Sequence, residues 1–198
     1  MSETIQLYDT QGRRLYLSSA ERDAFLEAAM KADRPIRTLC SVLHYTGCRV
    51  SEALALIPRR VDINDQTIIF ETLKKRRRGV YRAVPVPQSL IDTLDMVHGL
   101  REAHRRQKKD MLDAQLWPWS RVTAWRQVCA VMIAAAIPDG PHRCPKGLRH
   151  GFAIHALSKG VPLNMVSKWM GHAKMETTAI YCNAVGEEQQ SIAARMWG

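Results

Sequence analysis

KGLRHGFAIHALSKGVPLNMVSKWMGHAKMETTAIYCN, residues 146–183, is the stretch on which the architecture turns. Leu148, Phe152 and Ala156 recur at helical spacing, so a helix is expected over 146–159. Gly160 is a natural stop. Pro162, a natural first-turn residue, opens a second helix over 162–170, which Gly171 ends. A third helix is expected over 175–183, with Tyr181 near its end. Lys146 and Arg149 sit at the start of the first helix, where the macrodipole disfavours positive charge, and that cost points to a purpose.

Toward the N-terminus, residues 120–136 and 88–109 also read as helices. Strand signal is confined to the middle: Thr67–Glu71 and Val80–Val86 are β-rich, with Lys74-Lys75-Arg76-Arg77-Arg78-Gly79 as the tip between them. Val50, Ala53, Leu54 and Ile57 form the face of a short helix ended by Pro58. Before it, Asp33 and Pro35 open a helix with Ile36, Leu39, Cys40 and Leu43 on one face, stopped by Gly47. Ser18 and Glu21 make a capping box for a helix through about Ala32. Residues 4–8 and 14–17 alternate around Asp9-Thr10-Gln11-Gly12, which suggests a short hairpin. After Gly186, Glu187–Trp197 reads as a helix with Ile192, Met196 and Trp197 apolar. No repeat, low-complexity tract or long linker divides the chain. The expectation is an α+β fold, mainly α-helical with a small antiparallel β-sheet: a hairpin extension over 1–17 and one domain over 18–198.

The chain has 198 residues, of which 46% are hydrophobic, enough for a real core. Its 29 Lys and Arg against 19 Asp and Glu give a formal charge of +10. Such an excess calls for a polyanionic partner, nucleic acid or an acidic membrane surface. The longest apolar run, Val128 to Ile137, is far short of the roughly 20 residues a membrane span needs. The N-terminus lacks a basic region followed by an apolar stretch, so no secretion signal is read. Five cysteines without a Cys-x-x-Cys pair read as buried thiols in a reducing cytoplasm. His142, Cys144, His150 and His155 lie close together but match neither Cys-x-x-Cys nor His-Glu-x-x-His, so no metal site is expected.

Five consecutive cations on a turn are usually a solvated loop. Here apolar strands flank them, so the tip is a rigid cationic finger suited to a DNA groove or to phosphates. Three further motifs stand out: Thr46-Gly47-Cys48-Arg49-Val50-Ser51-Glu52, Lys146-x-x-Arg149, and Gly171-His172 with Tyr181 nine residues later. In this order and spacing they resemble the tyrosine recombinase (phage integrase) family. The Arg149–His172–Tyr181 intervals of 23 and 9 look like the family's standard spacing, and the resemblance covers about residues 18–198, the family's catalytic domain.

The resemblance implies a site-specific recombinase that integrates, excises, inverts or resolves DNA. Tyr181 would be the nucleophile, leaving a 3′-phosphotyrosine and a free 5′-hydroxyl. The covalent link retains the phosphodiester energy, so no ATP is required. The chain accordingly lacks a Gly-x-x-x-x-Gly-Lys-Ser/Thr loop, and no cofactor is expected. Arg49 and Arg149 would grip the non-bridging oxygens through paired N–H bonds, which lysine does less well. His172 would hydrogen-bond the phosphate. A hairpin lysine would protonate the leaving 5′ oxygen: Lys74, with Lys75 as the alternative. Lys75, Arg76, Arg77, Arg78 and Arg82 would contact DNA.

This chain has Lys146 where the family usually has His. A lysine donates to phosphate, but with an ordinary pKa near 10.4 it is a poor base for the tyrosine proton, which leaves the general base open. Only about 17 residues precede the resemblance, whereas many members carry a further DNA-clamping domain of roughly a hundred residues. That suits either a catalytic-domain-only member, like the bacterial fimbrial-switch invertases, or a fragment. By resemblance, the partners would be double-stranded DNA, three further protomers in a tetramer joined through the C-terminal helix, and an accessory DNA-binding protein. The place would be the bacterial cytoplasm, on the nucleoid. Two other readings stand beside it: a DNA-binding regulator that keeps the fold but has lost turnover, and a type IB topoisomerase-like relaxing enzyme, which shares the chemistry but not the synapsis.

Overall fold

Ser18 Oγ accepts from the Glu21 backbone N–H at 3.3 Å, and the Glu21 carboxylate accepts from the Ser18 N–H at 2.9 Å, so the expected capping box opens α1 (Ser19–Lys31). The computed structural model describes residues 6–72 and 79–183, with 190, 193, 194, 196 and 197. Ahead of α1, a single antiparallel bridge between Tyr8 and Arg14 closes the expected hairpin. α2 (Arg34–Thr46) and α3 (Val50–Leu54) follow, separated by Gly47 in the left-handed conformation, φ 59°. A Cβ on Gly47 would lie 2.4 Å from the Phe152 ring, so glycine is needed for the turn and for the close approach.

Three strands then form an antiparallel sheet in the order β1 (Val61–Asp62), β2 (Thr67–Glu71), β3 (Tyr81–Pro85). Ile68 faces Val84 and Phe70 faces Arg82 across the β2–β3 pair. Alternation buries Ile68 and Phe70 on β2, and Arg82 and Val84 on β3. β1 is a strand the sequence reading did not contain.

The helix expected over 88–109 is three: α4 (Gln88–His98), α5 (Leu100–Arg106) and α6 (Lys109–Leu112). Gly99 at φ 64° and Gln107 at φ 52° turn the backbone left-handed and end the first two. α7 (Arg121–Ala134), α8 (Pro145–Ser158) and α9 (Leu163–Met170) lie within two residues of expectation. The last expected helix before Asn183 is α10 (Glu176–Ala179) continued as a 3-10 turn over Ile180–Asn183. The chain is thus α+β and mainly helical.

α8 runs between two apolar clusters. Leu148 joins a large one with Phe25, Leu39, Leu43, Phe70 and Trp117. Phe152 and Ala153 join a smaller one with Tyr16, Val166, Met170 and Tyr181. Arg22, itself buried, donates to the carbonyls of Leu148 (3.3 Å) and His44 (3.1 Å), tying α8 to α2. Among the described residues no helix is long and apolar enough to cross a membrane.

Candidate active site

Arg49 precedes α3, and its backbone N–H donates to the Glu52 carboxylate at 2.8 Å while its Nη1 donates to Glu52 Oε1 at 3.0 Å. Glu52 is buried and holds a second arginine: Arg82 Nη2 donates at 2.7 Å and Nη1 at 3.3 Å. Arg82 also donates through Nε to the Trp169 carbonyl at 2.7 Å and lies over the Phe70 ring. Burial pushes the Glu52 carboxyl up. The charge and hydrogen bonds of Arg82, with Arg149 and Arg49, outweigh it and hold the group below the usual glutamate range.

The expectation that Arg82 contacts DNA is therefore corrected. It shares strand parity with buried Val84, is only 7% exposed, and its charge is spent on Glu52. Gly171, at φ 66°, leaves room for it: a Cβ there would approach the guanidinium to 3.1 Å.

Arg149, on the second turn of α8, is held by two carbonyls. Nη1 donates to Gly47 O and Nη2 to Met170 O, both at 2.7 Å. Its Nη2 also faces His172 Nε2 at 3.3 Å. An arginine can only donate, so Nε2 accepts and the ring proton sits on Nδ1, which donates to Thr178 Oγ1 at 2.9 Å. Burial, and then the Arg49 charge, pull the Arg149 guanidinium down to about 10, which leaves it charged at neutral pH.

Tyr181 is 1% exposed, and its ring stacks on His172 with centroids 6.2 Å apart. Its hydroxyl is 2.8 Å from His150 Nδ1. Burial pushes the phenol up to about 12, against the opposing charges of Arg149 and Arg49. Here the hydroxyl is parked in the smaller core cluster, against His150.

Arg49, Arg121, Trp125, Lys146, Arg149 and His150 line one cleft of about 370 Å³. Four of these side chains are cations, and among the described residues no carboxylate joins the lining. The cleft brings Arg49, Lys146 and Arg149 together across a hundred positions of chain. Lys74, Lys75, Arg76, Arg77 and Arg78 lie outside the described residues. So does most of the expected C-terminal helix, although Met196 and Trp197 are exposed. The cysteine expectation is corrected in part. Cys40 and Cys48 are buried, with thiols pushed up to about 12, but Cys129 and Cys144 are half-buried and Cys182 is exposed.

Four participants escaped the sequence reading. Glu52 had a local signal, an acid three residues after the residue preceding a helix. Arg121 had another, the first helical position behind the Ser120 cap. His150 lies four residues after Lys146, on the same helical face. Thr178 had no signal beyond its place between His172 and Tyr181.

The buried histidines make stability pH-dependent. Burial, then Arg22 and His155, pull His44 down to about 3; burial, then Lys146 and Arg149, do the same to His150. Both take up protons on unfolding near an ordinary value of 6.5, so their contribution is complete above that pH and is lost as pH falls toward 3. The low-held carboxylates of Glu21 and Glu52 act in the same direction below about pH 4.5. Two protons correspond to a slope of roughly 2.7 kcal/mol per pH unit. Urea unfolding at pH 7, 6, 5 and 4 is expected to show most of that fall; flat stability across the range would show that these histidines take up protons as readily in the folded protein as in the unfolded chain.

Comparison with known proteins agrees with this architecture. The tyrosine recombinase XerD of Mycobacterium leprae is 34% identical over 189 residues, 87% of this chain and 58% of the relative. XerD of Pseudomonas aeruginosa is 32% identical over 194 residues, 90% of this chain and 60% of the relative. The chain thus spans about three fifths of the length of these relatives. The crystal structure of XerA recombinase superimposes with a TM-score of 0.72 at 26% identity, covering 92% of this chain and 65% of that one. The Phage integrase family matches over residues 16–188, nearly the whole described fold, and the chain belongs to that family, the tyrosine recombinases.

Proposed function

We propose that this chain is the DNA-cutting and rejoining domain of a site-specific recombinase. The observation that carries the reading is the cleft itself, in which Arg49, Lys146 and Arg149 converge and whose wall, through His150 and Arg149, touches the environment of a tyrosine hydroxyl. A pentavalent phosphate gains charge as it forms, and preorganised donors around it are commonly the largest catalytic contribution, about 10²–10³ in rate for each. Arg149 is preorganised by the Gly47 and Met170 carbonyls, and Arg49 by Glu52. Tyr181 would attack phosphorus, and Arg49, Lys146 and Arg149 would hold the non-bridging oxygens. His172 would join them once Arg149 turns from its Nε2 to the phosphate and that nitrogen takes a proton, so that it can donate. Lys74, or Lys75, would protonate the leaving 5′ oxygen. Arg121 adds a fourth cation at the rim, and Lys75 with Arg76–Arg78 would follow the backbone. Double-stranded DNA is the substrate, four protomers on two sites form the working assembly through the C-terminal segment, and an accessory protein completes the grip.

Covalent capture tests this. A library of nicked duplexes with randomised sequence around the nick, mixed with duplexes from the flanks of the gene, is incubated with the protein, and strands that survive detergent bound to it are sequenced. Enrichment of one site on a 3′-phosphotyrosine is the expected result. Absence of any adduct from either pool would overturn the reading.

A further inference from the structure

His150 has no part in the chemistry assigned so far, yet it is the residue that touches the reactive hydroxyl. It sits one helical turn beyond Lys146 on the same face of α8, and its ring lines the cation cleft while its Nδ1 lies 2.8 Å from Tyr181 Oη. Its other nitrogen, Nε2, is buried without a hydrogen-bond partner among the described residues. The imidazole therefore stands between the parked phenol and the cleft, bonded on the phenol side. We propose that His150 is the general base that takes the Tyr181 proton, and that a phosphate diester entering the cleft switches it on. This rests on the strand-cutting function proposed above.

Electrostatics explain why the base would be silent without DNA. The groups facing His150 are Lys146 and Arg149 from α8, Tyr181 from the 3-10 turn, and Arg49 and Arg121 across the cleft. All but the tyrosine are cations. Together with burial, Lys146 and Arg149 make an imidazolium there costly, and a phenol pushed up to about 12 does not yield its proton to such a ring. A phosphate diester bound by those cations supplies the missing negative charge, and the developing pentavalent phosphate supplies more. The imidazolium is then favoured where it was opposed, so the phenolate forms only beside a substrate. Lys146, in the position the family usually gives to histidine, remains a donor to phosphate.

The step balances. As the 3-10 turn carries the phenol past the imidazole toward the cleft, the Tyr181 O–H bond breaks and its proton passes to the Nδ1 lone pair, in the tautomer with hydrogen on Nε2. The oxygen pair forms the O–P bond, the P–O5′ bond breaks, and the leaving oxygen takes a proton from the hairpin lysine. Rejoining reverses each transfer.

The test uses the duplex recovered by covalent capture, made with a 5′-bridging sulfur so that the leaving group needs no protonation. Single-turnover adduct formation is compared for the unaltered protein and His150→Gln from pH 6 to 9.5. Glutamine keeps a hydrogen bond to the phenol but cannot take its proton. The variant is expected to be about 10²–10⁴-fold slower at pH 7, with the gap narrowing as pH rises and hydroxide substitutes. The sulfur leaving group should not rescue it, whereas it should rescue the alanine variant of whichever hairpin lysine protonates the leaving oxygen. A His150→Gln rate within threefold of the parent would overturn the proposal. So would a deficit that is the same at every pH, since a merely structural role gives that result. If the variant does not fold, nitrogen NMR of the unaltered protein decides: His150 should titrate well above its DNA-free position in the adduct, and an unmoved titration would refute the base. If the unaltered protein forms no adduct, the strand-cutting reading falls first, and this one with it.

Discussion

Tyr181→Phe should abolish the detergent-resistant DNA adduct while leaving DNA affinity unchanged. The substitution removes one oxygen. The ring still fills the smaller core cluster between Phe152, Val166 and Met170, and still stacks on His172. What is lost inside the fold is the 2.8 Å contact with His150, which leaves both its ring nitrogens without a hydrogen-bond partner among the described residues. That costs about 1–3 kcal/mol, small enough for the domain to remain folded. What is lost in the reaction is the only atom proposed to bond phosphorus, so the effect on cleavage is total rather than graded. Arg49, Arg121, Lys146 and Arg149 are untouched, and the charge that attracts DNA stays. An adduct that persists in Tyr181→Phe would assign the nucleophile to another side chain.

Glu52→Ala is expected to be the most destabilising single change in the site. The carboxylate is 3% exposed and anchors Arg82, the Arg49 side chain and the Arg49 backbone N–H. Its removal strands Arg82 as a buried charge beside Arg149, with the Trp169 carbonyl as its remaining hydrogen-bond acceptor among the described residues. Breaking a buried pair from one side costs about 3–5 kcal/mol, because the remaining charge keeps its desolvation penalty. For a domain of this size that is roughly a 6–20 °C fall in the melting temperature. Adding Arg82→Met should recover much of the loss, since the double change removes both charges and leaves a side chain that fills space over Phe70. A melting temperature for Glu52→Ala within about 2 °C of the parent would show that Arg82 finds another counter-charge.

The helices were legible because their signals are local. The Ser18–Glu21 box, the Pro162 start and the glycine stops at 47 and 171 act within one turn of chain, and the structure places α1, α2, α8 and α9 accordingly. The single helix expected over 88–109 is broken at Gly99, whose left-handed turn is equally local. Arg82 departs from expectation for a different cause. Its parity with Val84 was visible, but a buried cation requires a counter-charge, and Glu52 lies 30 positions away on a helix. Sequence alone presents His150 as no more than a candidate metal ligand, because nothing within reach along the chain ties it to Tyr181, 31 residues on.

By itself the sequence determined the order of helices and sheet, the positive sign of the surface, and the spacing of Arg149, His172 and Tyr181 that places the chain in its family. Periodicity, capping and net charge are properties of neighbours along the chain or of the chain as a whole. Only the tertiary structure decided which cations line the cleft and which are already neutralised, and that the Tyr181 hydroxyl rests against a histidine inside the core. A side chain's effective charge and basicity depend on desolvation and on partners within a few ångströms, and packing between α3, β3, α8 and the final 3-10 turn sets both.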